Sequence, residues 1–290
     1  MKRAAILSVA CWCLSLNFQL VVVGQAPNID QNIAQSLRAA ALKYYHVREF
    51  EEAVKALEKA ISLSPDYAEA HNDLGLNYAA LGRHQEAIAS LQEAIRCKPG
   101  FAIAYNNLGA QYYERGEIDL AIRALQQAIR FDPQNAVAFN NLGASFSDAG
   151  QSKEAIGAYE RALDLRPDWA EAHRNLALAS APANDYDRVF KHLNIAISLR
   201  PDYFEAYNNL GVAHYRKGHY REALAALQQA IRIKPDYDDA LYNLGLLQVE
   251  ANKRREALEQ YQKLKVLNPG LAETLYGGIY RGMILNLRNK

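Results

Sequence analysis

The chain has 290 residues, half of them hydrophobic, and its 33 basic and 32 acidic side chains leave a formal net charge of +1. That length would suit one large domain or two ordinary ones. The near-neutral balance shows no basic stripe and argues against nucleic acid as a ligand, because phosphate contact needs one.

The first 24 residues differ from the rest. Lys2 and Arg3 open the chain, and no charge follows until Asp30. Ala4 to Leu16 is an apolar run, interrupted mildly by Asn17 and Gln19 before Val21, Val22, Val23 and Gly24. This has the layout of a secretory signal peptide, with Val22 and Gly24 at the small-residue positions before the cut. An uncleaved span is the competing reading, since the uncharged run is nearly long enough to cross a bilayer. Such a span would associate the protein with a membrane. The residues before Cys11 lack the leucine of a lipoprotein signal. In each version the remainder is expected outside the cytoplasm, periplasmic, secreted or anchored at its N-terminus. Cys11 and Cys13 lie inside this segment, so Cys97 stands alone in the mature chain and no internal disulfide is expected.

After a linker over residues 25–33, one spacing governs the sequence. Leu74, Leu108, Leu142, Leu176, Leu210 and Leu244 are each 34 residues after the last, and most sit in an Asn-Leu-Gly setting. Framed on that step, seven units cover 34–67, 68–101, 102–135, 136–169, 170–203, 204–237 and 238–271. Pro65, Pro99, Pro133, Pro167, Pro201, Pro235 and Pro269 all fall at unit position 32, where proline stops a helix. Within the third unit Tyr105, Leu108, Gly109 and Tyr112 mark one face of a helix. At position 15 stand Gly82, Gly116, Gly150 and Gly218, with Asn184 and Asn252 as substitutes, the residues that suit a left-handed cap. A second helix follows, carrying Ala121, Leu125, Ala128 and Phe131 inward. Glycine returns at position 8 (Gly75, Gly109, Gly143, Gly211, Gly245) and alanine at position 20, which predicts a close helix crossing. The fifth unit departs: Ala177 replaces the glycine, Ser180 the tyrosine, and Pro182 cuts into the first helix. A local irregularity is expected there. Residues 272–290 keep helical spacing and are expected to cap the last unit's apolar face.

A 34-residue helix pair with Leu-Gly at 7 and 8, Tyr at 11, Ala at 20 and 27 and Pro at 32 resembles the tetratricopeptide repeat. The resemblance covers about four fifths of the chain and implies an all-α fold, a right-handed superhelical solenoid of antiparallel helix pairs. In that family the wall made by positions 2, 5, 6, 9 and 12 of the first helices is a concave groove that binds peptides or partner helices. Here the wall carries Asn72, Asn106, Asn140 and Asn208 at position 5. Position 6 carries Asp73, Asn107, Asn141, Asn175, Asn209 and Asn243, and Tyr113 and Tyr215 stand at position 12. An amide offers donors and acceptors, so such a row could pair with a peptide backbone whatever its side chains. It is similar to the asparagine ladder of the O-linked N-acetylglucosamine transferases. The same asparagines could instead tie neighbouring helices together.

The carboxylate clamp of chaperone-binding members is absent over any three consecutive units, since Arg38 is followed by Leu42 and Arg174 by Leu178 one turn on. His71 and His173 at position 4 and His214 at position 11 stand where other units have aromatic residues, and Cys97 at position 30 where they have apolar ones. All four read as core substitutes, and no pair has metal-site spacing. No phosphate loop, HExxH or Gly-x-Ser-x-Gly elbow is present, so no cofactor, metal or catalytic residue is expected. The reading is a non-enzymatic scaffold binding a protein or peptide partner in its asparagine-lined groove. The alternative is an assembly or structural factor of an envelope complex of the secretion, pilus or outer-membrane kind.

Overall fold

The computed structural model describes residues 29–288, with side chains to 280; the export-like segment lies outside the described residues. Every regular element in it is helical, and the first fourteen α-helices form seven antiparallel pairs. These are α1 (Ile29–His46) with α2 (Phe50–Leu63), α3 (Ala68–Ala80) with α4 (His84–Cys97), and α5 (Ala102–Glu114) with α6 (Ile118–Phe131). They continue as α7 (Ala136–Asp148) with α8 (Ser152–Leu165), α9 (Ala170–Ser180) with α10 (Tyr186–Leu199), and α11 (Phe204–Arg216) with α12 (Tyr220–Ile233). The last pair is α13 (Asp238–Glu250) with α14 (Arg254–Leu267), and α15 (Pro269–Arg288) packs on both of its helices. Each pair touches the next, and the core is a row of small clusters rather than one centre, as a solenoid requires.

The sequence spacing has a steric cause. A Cβ built on Gly109 would lie 2.6 Å from Leu125 Cγ, and one on Gly75 or Gly211 would lie 2.7 Å from Leu91 or Leu227 Cγ. In these three pairs the first helix therefore crosses the second with no side chain between its backbone and a fully buried leucine, and in the fourth Gly143 meets Tyr159 in the same way, at 2.7 Å from Cε1. In the seventh pair the partner is exchanged: Gly245 faces Leu275 of α15, with a Cβ approach of 2.5 Å. Leu275 joins Leu241, Ala257, Leu264, Ala272 and Ile279 in the terminal cluster, so α15 covers the face that a further pair would otherwise cover.

Two boundaries differ from the sequence reading. α1 begins at Ile29, so residues 29–33 are helix rather than linker. α15 begins at Pro269, inside the last three positions of the seventh unit, because Asn268 caps it: the Asn268 Oδ1 accepts from Leu271 N at 3.2 Å. Position 15 is left-handed in every pair, at Gly82, Gly116, Gly150 and Gly218 and at Asn184 and Asn252. Arg48 also adopts φ 64°, so the turn geometry holds in the first pair even where a residue with Cβ occupies it. The fifth pair is irregular as its sequence predicts: α9 ends at Ser180 and Pro182 sits in a 3₁₀ turn over Ala181–Ala183.

Candidate functional site

The first helices line up so that position 5 of one pair meets position 6 of the next. The Asn107 Nδ2 donates to Asn72 Oδ1 at 2.9 Å, Asn141 to Asn106 at 3.1 Å, Asn175 to Asn140 at 3.2 Å and Asn243 to Asn208 at 2.9 Å. Every one of these bonds joins residues 35 apart, one unit plus one residue. Cross-links within pairs extend the row: Asn72 Nδ2 donates to Asp73 Oδ1 at 3.2 Å, and Asn106 Nδ2 to Asn107 Oδ1 at 3.4 Å. Arg38 Nε closes it on Asp73 Oδ2 at 2.6 Å. A continuous chain of donors and acceptors thus runs from Asn141 through four pairs to the Asp73 carboxylate and Arg38.

The asparagines therefore spend much of their capacity on one another. Asn72, Asp73 and Asn208 are buried, while Asn106, Asn107, Asn140, Asn141, Asn175, Asn209 and Asn243 are half-buried. The ladder is a tie between first helices; what it offers a ligand is the outer edge of the half-buried amides.

The tyrosines follow the same stagger. Tyr215 donates its hydroxyl to the Glu250 carboxylate, and Tyr113 has Asp148 as its acidic neighbour, again 35 residues on in both cases. Hydrogen bonding to Glu250 pushes the Tyr215 hydroxyl up to about 12, and burial does the same at Tyr113 with help from Asp148. The Tyr215 hydroxyl is a donor held in place, and neither hydroxyl ionises near neutrality.

Tyr113 and Asn175 do come together. They share a cavity of about 470 Å³ with Ser147, Tyr159, Leu178 and Pro182, spanning the third to fifth pairs. Its mixed lining offers a hydroxyl, amides and apolar surface, the makings of a side-chain pocket. Leu178 is 41% exposed there, and on the same wall Ile103 and Val137 at position 2 are exposed as well. Apolar exposure at these positions was absent from the polar wall read in the sequence, and only the sequence at positions 2 and 9 could have signalled it.

His71 and His173 are packed as expected, whereas His214 is only half-buried, its ring stacked on Phe190 at 4.5 Å between centroids. His71 and His173 are buried, and each places its Nε2 on a proline carbonyl, Pro65 O at 2.8 Å and Pro167 O at 2.9 Å. His173 Nδ1 lies 2.8 Å from His192 Nδ1, and burial with the His173 neighbour holds His192 down at about 4. Cys97 departs from the reading: it is half-buried, and burial raises its thiol above the usual range. Its sulfur, His71 and Glu93 bring ligand atoms within 4.8 Å of one another, a grouping that residues 26 apart hide in the sequence. Arg96 holds Glu93 at 2.7 Å and lies 3.7 Å from the Cys97 sulfur, so that grouping already has a cation beside it.

An all-helical row of antiparallel pairs, closed by a capping helix and carrying a half-polar first-helix wall, defines the class of solenoid interaction scaffolds. The TPR repeat profile matches residues 109–150, 145–181, 184–218 and 215–252, and tetratricopeptide repeat profiles match 38–102 and 239–270. The chain belongs to the tetratricopeptide repeat family, whose members typically serve as non-catalytic scaffolds for protein–protein interaction. No curated protein matches it. Among solved structures it is similar to a tetratricopeptide repeat protein from Parabacteroides merdae, at 16% identity and TM-score 0.68 over 86% of this chain and 99% of that one. It resembles YrrB, a TPR protein with an unusual peptide-binding site, at 24% identity and TM-score 0.55 over 65% and 97%. It also resembles a chain of the APC/C hetero-tetramer Cut9–Hcn1, at 22% identity and TM-score 0.66 over 76% of this chain but only 45% of that chain's length.

Proposed function

We propose that the protein is an exported, non-enzymatic scaffold that captures a peptide segment of a partner in its first-helix groove. The observation that carries this is the cavity beside Tyr113, Tyr159, Asn175 and Leu178, flanked on the same wall by exposed Ile103 and Val137. A side chain of the partner fills the pocket, and its backbone meets the outer edges of the ladder amides. Peptide capture lies within the reach of this architecture, as the YrrB fold illustrates. Export rests on the basic, then apolar, opening of residues 1–24. An envelope-assembly role draws on that same opening and would appear as co-fractionation with a membrane complex.

The test is a paired affinity purification from the native envelope with the wild-type chain and a Leu178→Glu variant, both checked for folding by circular dichroism. Leu178 is exposed, so the change leaves the core alone. A partner lost with the variant supports the groove. A partner kept by both moves the site elsewhere on the molecule.

A further inference from the structure

The second pair carries a set of donor side chains that no other pair repeats. His71 stands on α3, Glu93 and Cys97 one turn apart on α4, and Asp66 on the link that leads into α3. The repeat does not ask for this combination. The place of Glu93 is filled in the other units by Lys59, Gln127, Arg161, Ile195, Gln229 and Lys263, and that of Cys97 by apolar residues alone. A ring nitrogen of His71, a carboxylate oxygen of Glu93 and the Cys97 sulfur all lie within 4.8 Å of one another. Asp66 Oδ1 adds a fourth donor 4.0 Å from that sulfur. Around a tetrahedral zinc ion such atoms stand roughly 3.3–3.8 Å apart, so the group has to close by about 1 Å.

His71 is 8% exposed, and its tautomer is set in advance. Its Nε2 lies 2.8 Å from the Pro65 carbonyl oxygen, which can only accept, so Nε2 bears the hydrogen and Nδ1 the lone pair. A bond of this kind is what orients a metal-ligating histidine. His173 makes the same bond to Pro167, but its Nδ1 is taken by His192 at 2.8 Å, and Ile195 and Leu199 stand where the other donors would be. In the second pair the place of His192 belongs to Ser90, whose hydroxyl turns to the Glu86 carbonyl at 2.9 Å instead. The group also holds a cation of its own. The Arg96 guanidinium reaches Glu93 at 2.7 Å, Asp66 at 3.2 Å and the Cys97 sulfur at 3.7 Å, so three of the four donors converge on one cation. Arg96 is 61% exposed at the side chain, and ion pairs so open to solvent hold their partners weakly.

We propose that this is a zinc-binding site, in which Zn²⁺ takes the place of the Arg96 guanidinium and is held by His71, Glu93, Cys97 and Asp66. A thiolate and an imidazole beside carboxylates select zinc over magnesium or calcium, which take oxygen donors. The Cys97 thiol releases its proton to solvent as it binds. The ion then ties the link between the first and second pairs to both helices of the second, a clip in a region where Cys97 forms no disulfide.

The experiment adds Zn²⁺, Co²⁺, Mg²⁺ or Ca²⁺ salts to the metal-stripped full chain and follows the thermal melt, with Co²⁺ absorbance as a second reading, since a thiolate ligand gives a sulfur-to-metal charge-transfer band. Two variants carry residues that other units place at the same positions and so keep the fold: His71→Tyr, as at Tyr105, and Cys97→Leu, as at Leu63. A third, Arg96→Gln, removes the tethered competitor. Zn²⁺ is expected to raise the melting temperature of the wild type and Co²⁺ to show the band, and both responses are expected to be lost in His71→Tyr and in Cys97→Leu. Arg96→Gln is expected to bind Zn²⁺ about tenfold more tightly, the weight of one charge-assisted hydrogen bond. A Zn²⁺ response kept by both ligand variants places the ion elsewhere and overturns the site. A response to Mg²⁺ or Ca²⁺ in place of Zn²⁺, which the carboxylates alone would give, overturns it as well, and so does the absence of any response. Weaker binding by Arg96→Gln overturns the exchange of guanidinium for metal.

Discussion

The first four pairs and the seam between the fifth and sixth solve one problem in two ways. In the first four, the polar side chains between first helices satisfy one another from Asn141 through Asn106, Asn107 and Asn72 to Asp73, and the cation of the row, Arg38, is answered in place by the Asp73 carboxylate. At the later seam the same register brings Arg174 to Asn209, and two buried donors meet nothing. The same half of the molecule holds the shortened α9, the Pro182 turn and the stacked His173 and His192 rings. Because each pair of a solenoid contacts only its neighbours, such a departure stays local and the rest of the stack is undisturbed. A repeat array can therefore leave one seam unsatisfied while the others keep their polar ties.

The largest break is expected at Asp73. Asp73→Asn would convert the first seam to the Arg–Asn composition of the unsatisfied one, and Arg38 would lose its counter-charge while Asp73 is 9% exposed at the side chain. Since Arg38 remains 29% exposed, solvent screens part of the loss. A cost of about 2 kcal/mol is expected by urea unfolding. An unchanged midpoint would mean that the ladder contributes nothing and that the contrast between the seams is without consequence.

Next in size is the helix crossing. Gly109→Ala would put a methyl 2.6 Å from Leu125 Cγ, and the pair must open, at about 1–2 kcal/mol. The fifth pair already carries Ala177 against Leu193 and the first carries Ala41 near Leu57. The crossing can thus be built around alanine, but only where the whole pair is arranged for it. Hydrogen exchange of α5 and α6 reads this change; protection equal to wild type would show that all pairs share the tolerance of the fifth.

These two cases also show how far the sequence could be read. The helix pairs were legible because residues equivalent to Leu108, Gly109 and Pro133 return at the same positions in most units, so steric demand repeats with the period. The left-handed turn at Arg48 was not legible, because a side chain that tolerates φ 64° leaves no signature of its own. The site was legible only as a row of positions. Which amides face one another depends on the 35-residue stagger between pairs, a property of the superhelix and not of any one repeat. Arg174 was visible in the sequence as a failed clamp residue, and its missing partner became apparent only when Asn209 was set against it.

A smaller effect of opposite sign is expected at that seam. Arg174→Asn would turn it into an Asn–Asn tie like that of Asn141 with Asn106, remove both orphaned donors and stabilise the chain by about 1 kcal/mol. A lower melting temperature would mean that Arg174 already has a partner, such as ordered water, that its replacement forfeits.

The smallest effect is a pH dependence confined to the same region. Burial, His173 and the nearby Lys191 and Arg188 hold His192 at about 4, against 6.5 in an unfolded chain. A depressed histidine means that the unfolded state takes up the proton first, so stability falls as pH drops from about 6.5 to about 4 and levels below that. His214, lowered mainly by burial and also by His219, adds to the slope in the same direction. Exchanging His192→Leu should flatten the thermal-melt profile over that window while lowering the neutral value, because the buried His173 Nδ1 loses its partner at 2.8 Å. The effect should appear in the exchange of α9 and α10 and not in that of α5 and α6, whose position-4 residue is Tyr105 stacked on Phe131 with no titrating partner. A pH slope spread evenly over both would show that the two regions unfold as one unit, and that the departures of the fifth pair are not contained by its neighbours.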